Sequence, residues 1–157
     1  MGKTWAPKGK TPIVKVTGNK GGFCVTSAIS PVGRMLFRIE KETVNADVHM
    51  QFLKQILSHH NRRKVVVIED QAPAHTSWKI KEFVKSNSKR FALYYLPPYS
   101  PNLNPDEEVW NYLKNQKLKA HQARTKKEFK PLVIAKMRSI QMNPGLIQSF
   151  FYRLDVT

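Results

Sequence analysis

Along the chain the spacing of apolar residues shifts between alternation and a helical repeat, and the shifts mark out the elements. Ile13 to Thr17 is a short β-rich run, broken by the turn signal Gly18-Asn19-Lys20-Gly21-Gly22. Phe23 to Ile29 predicts a second strand. Ser30-Pro31-Val32-Gly33 turns it into a third, Arg34 to Ile39, in which Met35, Phe37 and Ile39 alternate with other side chains. Val44, Val48, Phe52, Ile56 and Leu57 then recur at helical spacing, with Thr43 or Asn45 as the cap. Val65-Val66-Val67-Ile68 is a continuous β-branched run, the pattern of a strand buried on both faces. A helix over about Ser77 to Asn87 and a strand over Phe91 to Tyr95 complete a β-α-β unit.

Beyond the proline-rich stretch Leu96 to Pro105, a helix is predicted from about Glu107 to Lys119, burying Val109, Trp110 and Leu113. Thr125-Lys126-Lys127-Glu128 has the form of a capping box, and Phe129, Leu132, Val133, Met137 and Ile140 hold helical spacing after it. Pro131 fits that cap poorly and implies either a kink or a start nearer Lys130. Asn143-Pro144 reads as the cap and first turn of a last helix through Phe151. A strand meander followed by alternating helices and strands is an α/β layout with a mixed sheet. No repeat or linker interrupts the 157 residues, so one domain over 1–157 is expected.

Composition changes this picture through charge. Twenty-seven Lys and Arg against eleven Asp and Glu leave a formal net charge of +16. That excess points to a polyanionic partner, most commonly nucleic acid. The cations are spread along the chain, which favours a broad folded face over a flexible arm. Arg62, Arg63 and Lys64, then Lys79, then Lys114 and Lys117, and then Arg124 are the candidates for phosphate contacts. Each group alone is commonly a solvated face, and only their sum argues for binding. No apolar run is long enough to cross a bilayer, and the start lacks the apolar stretch of a secretory signal. The single Cys24 excludes an internal disulfide. A cytoplasmic protein with no membrane partner is expected, nucleoid-associated if the host is bacterial.

Two acids stand where chemistry is plausible. Asp70 follows the β-branched run, and ligands of open α/β sheets gather at the carboxyl ends of strands. A lone aspartate there more commonly caps the next helix. Glu69 points the other way if the strand continues, and no role in the site is assigned to it. The second acid lies in Asp106-Glu107-Glu108, directly after the helix-entry signal Asn104-Pro105, where the helix dipole alone favours a negative charge. The histidines 49, 59, 60, 75 and 121 match no zinc-ligand spacing, so zinc is not expected.

The wording of two segments narrows the reading. Asp70-Gln71-Ala72-Pro73-Ala74-His75-Thr76-Ser77 resembles the aspartate motif of DDE-superfamily transposases, in the bacterial insertion-sequence branch related to Tc and mariner elements. Leu96-Pro97-Pro98-Tyr99-Ser100-Pro101-Asn102-Leu103-Asn104-Pro105-Asp106-Glu107-Glu108-Val109-Trp110 resembles the same family's glutamate motif. Trp5-Ala6-Pro7-Lys8-Gly9 is similar to a weaker marker that follows the first catalytic aspartate. The resemblance implies a ribonuclease H-like mixed sheet flanked by helices, and three acids binding two Mg²⁺ or Mn²⁺ ions. The second Asp carries over to Asp70 and the Glu to Glu107, with residues 71 to 106 between them. His75 is a possible outer partner of the site. The sequence departs from the motifs at Glu69, Gln71 and Asp106, where apolar, Asn and apolar residues are usual.

With Trp5 so near residue 1, the first aspartate and the central strand bearing it are expected to be missing. The chain alone is then expected to be inactive, its partners being DNA and an upstream-encoded transposase segment or a second transposase chain. Two rival readings are an inactive DNA-binding remnant or regulator of a full-length enzyme, and a basic RNA-binding protein. Divalent-metal binding that depends on Asp70 separates the second rival from the transposase reading.

Overall fold

A computed structural model of the chain describes residues 13–14, 23–41, 43–118 and 125–153. These fall into two compact units, one within residues 43–101 and one combining residues 13–41 with 102–153.

The first unit is a β-α-β unit preceded by a helix. Helix α1 (Ala46–Ser58) starts at Asn45, whose side chain accepts from the Val48 N–H at 3.0 Å, so Asn45 and not Thr43 is the cap. Its inner face is His49, Phe52, Leu53 and Ile56, an i, i+3, i+4, i+7 stripe. Strand β4 (Val65–Glu69), helix α2 (Trp78–Ser86) and strand β5 (Phe91–Tyr95) follow, with β4 and β5 paired in parallel from Val65–Phe91 to Glu69–Tyr95. Parallel neighbours need such a crossover, and α2 supplies it. Ile80, Phe83, Phe91, Val65 and the inner face of α1 form the core of this unit. The expectation of a strand buried on both faces does not hold for β4. Val66 and Ile68 are 55% and 63% exposed, whereas Val65 and Glu69 are buried, so the run of β-branched residues alternates.

The second unit holds an antiparallel sheet in the order β1-β2-β3, made of Ile13–Val14, Phe23–Ile29 and Met35–Glu40. The turn between β2 and β3 passes through Gly33 at φ +83°. A Cβ there would come within 2.7 Å of the Pro144 carbonyl oxygen, so both backbone sign and space demand glycine. Helix α3 (Asp106–Tyr112) runs into a π-helical turn at Leu113–Lys117, closed by the Leu118 N–H on the Leu113 carbonyl at 2.9 Å. Helix α4 (Lys126–Gln141) begins at Thr125, whose side chain accepts from the Glu128 N–H. Pro131 therefore lies inside α4 and does not mark its start. It brings no N–H to the Lys127 carbonyl, but both residues are exposed and water can serve that oxygen. Helix α5 (Pro144–Phe151) has Asn143 as cap and Pro144 in its first turn. Val109, Trp110, Leu113, Phe129, Val133, Met137, Ile140, Ile147 and Phe150 pack with Phe23, Val25 and Met35 as one apolar cluster. No helix among the described residues is long and apolar enough to cross a membrane.

Candidate functional site

Alternation at the end of β4 separates two adjacent acids. Asp70 is the outer one, its side chain 51% exposed. One of its carboxylate oxygens accepts from the Ala72 N–H at 3.0 Å and lies 2.8 Å from His75 Nδ1. The His75 hydrogen bond draws the Asp70 pKa below its ordinary value against the opposing effect of burial. The His75 charge, the Ala72 N–H and the His49 charge act in the same lowering direction. Burial works against the charged form of His75, yet its bond to Asp70 and the charges of Glu69 and Asp70 outweigh it and raise the His75 pKa. The pair is thus biased toward carboxylate and imidazolium.

The backbone around this pair is tied down. The His75 and Thr76 N–H groups donate to the Ala72 carbonyl at 2.8 and 3.2 Å, forming the turn that returns His75 to Asp70. Tyr95 Oη, at the end of β5, donates to the His75 carbonyl at 2.8 Å. Gln71 Nε2 donates to the Leu96 carbonyl at 3.0 Å, so this departure from the family motif joins the ends of β4 and β5. Three residues on, Tyr99 has φ +56°, a left-handed conformation that costs a non-glycine residue about 1–2 kcal/mol. Strain of this kind gathers at functional segments.

Glu69 is the inner acid and is buried. Its Oε2 lies 2.8 Å from His49 Nε2 on α1 and 3.9 Å from His75 Nδ1. The two imidazoles stack, with centroids 4.0 Å apart and planes at 29°. One ligand atom from each of His49, Glu69 and His75 lies within 4.8 Å of the others, a grouping that could hold a metal ion. Sequence spacing misses this cluster because its members come from a helix, a strand end and a turn. The available signal was His49, which falls on the apolar stripe of α1, and Glu69, which shares the inward parity of Val65 on β4.

In the second unit, the three acids that open α3 have different surroundings. Ser27 Oγ on β2 lies 2.8 Å from both carboxylate oxygens of Asp106, and Trp110 Nε1 donates to Asp106 at 3.3 Å. Burial of the carboxylate pushes the Asp106 pKa up to about 6. The Ser27 bond opposes the rise, the Glu107 charge adds to it, and the Trp110 bond opposes it. An acid at a usually apolar motif position is thereby satisfied from inside the unit. Glu108 accepts from Asn111 Nδ2 at 3.3 Å and lies 3.7 Å from Arg153. Glu107 occupies the first turn between them, its N–H donating to the Asn104 carbonyl at 3.1 Å.

Asp70 and His75 belong to the first unit and Glu107 to the second. Arg62, Arg63 and Lys64 are exposed in the connection after α1. Lys79 forms an ion pair with Asp47 at 2.8 Å, and Lys114 is half-buried. The Lys117 side chain, Arg124, His121 and the Trp5 to Gly9 segment lie outside the described residues.

Residues 1–130 match the family described as DDE superfamily endonuclease. No curated protein matches. The Mos1 transposase catalytic domain solved with Raltegravir and Mg is similar at a TM-score of 0.64 and 21% identity, over 91% of this chain and 76% of that one. The catalytic domain of Mos1 mariner transposase gives 0.63 and 19%, over 92% and 76%. The Mos1 mariner paired end complex with Mn gives 0.67 and 16%, over 98% of this chain and 47% of that one. At these identities the likeness shows the fold, the ribonuclease H-like α/β fold of transposase catalytic domains.

Proposed function

Because this chain belongs to the DDE superfamily endonuclease family, we propose that it is the catalytic domain of a DNA transposase of the bacterial insertion-sequence branch related to Tc and mariner elements. It acts on DNA ends by strand cleavage and strand transfer with Mg²⁺ or Mn²⁺. Asp70 and Glu107 are the metal ligands in this reading, and His75 orients Asp70. The observation that carries it is Asp70 at the end of β4, half-exposed, with His75 favouring its ionised form. Such a carboxylate suits a hard divalent ion that prefers oxygen and keeps part of its water shell. A divalent ion held by Asp70 and Glu107 would supply charge stabilisation for the attacking and leaving oxygens of a phosphodiester.

The choice of Glu107 rests on its place in the segment Asn104-Pro105-Asp106-Glu107, which resembles the family's glutamate motif. The solved Mos1 structures with Mg and with Mn make divalent ions the natural partners to try. Arg62, Arg63 and Lys64 contact phosphates, and the +16 charge makes binding electrostatic and indifferent to base sequence.

The test is cleavage and strand transfer on duplexes carrying the element's ends, with Mg²⁺ or Mn²⁺. Activity that requires both Asp70 and Glu107 supports the reading. Activity untouched by Asp70→Ala overturns it. Binding to two unrelated duplexes across a salt series should weaken steeply with salt for both, and a flat response would remove DNA as the partner.

A further inference from the structure

We infer that His49, Glu69 and His75 form a second metal site, distinct from the proposed Asp70–Glu107 centre, that takes one borderline divalent transition ion, zinc best. The donor set is two imidazoles and one carboxylate, which suits zinc and its neighbours and not magnesium or calcium, ions that want oxygen ligands throughout.

Burial makes the case. Glu69 and His49 are buried, yet Glu69 Oε1 and His49 Nε2 have no hydrogen-bond partner. His49 Nε2 approaches Glu69 Oε2 to 2.8 Å, but without the alignment of a hydrogen bond. A buried carboxylate oxygen without a hydrogen bond, as at Glu69 Oε1, is costly, and a bound ion is one way to satisfy it. Zinc–ligand distances of about 2.0–2.2 Å put neighbouring ligand atoms roughly 3.3 Å apart around a tetrahedral ion. The observed separations of 2.8 Å and 3.9 Å from Glu69 Oε2 straddle that value. His75 Nδ1 is the nitrogen that also approaches Asp70 at 2.8 Å, so an ion seated on it takes the place of that hydrogen bond.

The site spans three pieces of one unit: α1 through His49, the end of β4 through Glu69, and the turn after Asp70 through His75. His49 and Glu69 are buried and His75 is partly buried, so the role inferred is positioning. It would tie the turn that carries His75 to α1 and the end of β4.

The experiment uses the full chain, stripped with a chelator and titrated with Zn²⁺ against a chromophoric competitor, with Co²⁺ absorption as a second readout. One Zn²⁺ per chain is expected, together with Co²⁺ d–d bands typical of histidine ligation. His49→Phe keeps a ring stacked on His75 without a ligand atom, and Glu69→Gln keeps the shape of the acid. Each is expected to weaken Zn²⁺ binding by at least about tenfold, while Glu107→Ala leaves it unchanged. Far-UV circular dichroism checks folding, and Glu69→Gln decides alone if His49→Phe does not fold. Absence of stoichiometric Zn²⁺ binding, binding unmoved by Glu69→Gln, or loss of binding in Glu107→Ala overturns the proposal.

Discussion

Glu69 at the end of β4 and Asp106 at the start of α3 are both acids turned into their own unit, but they meet different company. Glu69 faces two imidazoles, while Asp106 faces a hydroxyl and an indole N–H. Imidazoles are bases that can share charge or a metal with a carboxylate. A hydroxyl and an indole offer only neutral hydrogen bonds, so Asp106 is left with a pKa of about 6. Their sequence neighbours, Asp70 and Glu107, are the two acids proposed as metal ligands. The contrast shows that an inner acid next to a motif acid has a local physical explanation in each unit, and that only one of the two surroundings is suited to an ion.

The sharpest way to break this comparison is to exchange the roles of inner and outer acids. Asp70→Ala is expected to lower cleavage by on the order of 10³-fold, the loss of several kcal/mol of charge stabilisation. Asp106→Asn should leave cleavage within a few-fold in the same assay. A reversed order would show that the α3 motif acid is misassigned.

The next effect is on stability and pH. Asp106 has a folded pKa raised to about 6 from an ordinary value of 3.8, so the folded state holds its proton more tightly than the unfolded state. Its contribution is therefore present at low pH and is lost as pH rises from about 4 through 6, by up to about 2–3 kcal/mol. Urea unfolding of wild type and Asp106→Asn across pH 4 to 7 should differ in slope over that window. Parallel curves would mean that Asp106 is ionised without cost. Ser27→Ala comes next. It removes a donor from a part-buried carboxylate, costing about 1–2 kcal/mol in the same measurement, and should raise the Asp106 pKa further.

The smallest effect concerns the outer acid. His75→Gln removes the main cause of the lowered Asp70 pKa, so the Asp70 carboxyl should titrate at higher pH by NMR. Stability from that depressed pKa is present above the unfolded value and lost as pH falls through the folded one. No upward movement in the variant would mean that the Ala72 N–H alone holds the carboxylate.

Much of the fold was legible because local signals agreed. Phe91 to Tyr95 and Phe23 to Ile29 appear as read, and Asn143-Pro144 opens α5 as its cap chemistry demands. The departures have physical causes. An all-β-branched run cannot show which of its faces is covered, and β4 exposes Val66 and Ile68. Pro131 looked like a helix boundary, but a solvent-facing site tolerates one missing N–H. The motifs made Asp70 and Glu107 candidates, yet no motif includes His49, whose approach to Glu69 exists only once α1 packs beside β4. Nor does any motif foretell the partner of Asp106, because Ser27 lies 79 residues away in sequence.

The seat of Gly33 against Pro144 also bears on folding kinetics. This contact closes a chain segment of more than a hundred residues, so its loop entropy must be met before it rewards the chain. Contacts of such long sequence separation tend to form after the rate-limiting step unless they belong to the nucleus. Gly33→Ala, which sets a methyl group against the Pro144 carbonyl, is then expected to speed unfolding while leaving the refolding limb of a chevron plot nearly in place. A slowed refolding limb would instead put the β2–β3 turn and the start of α5 together in the nucleus.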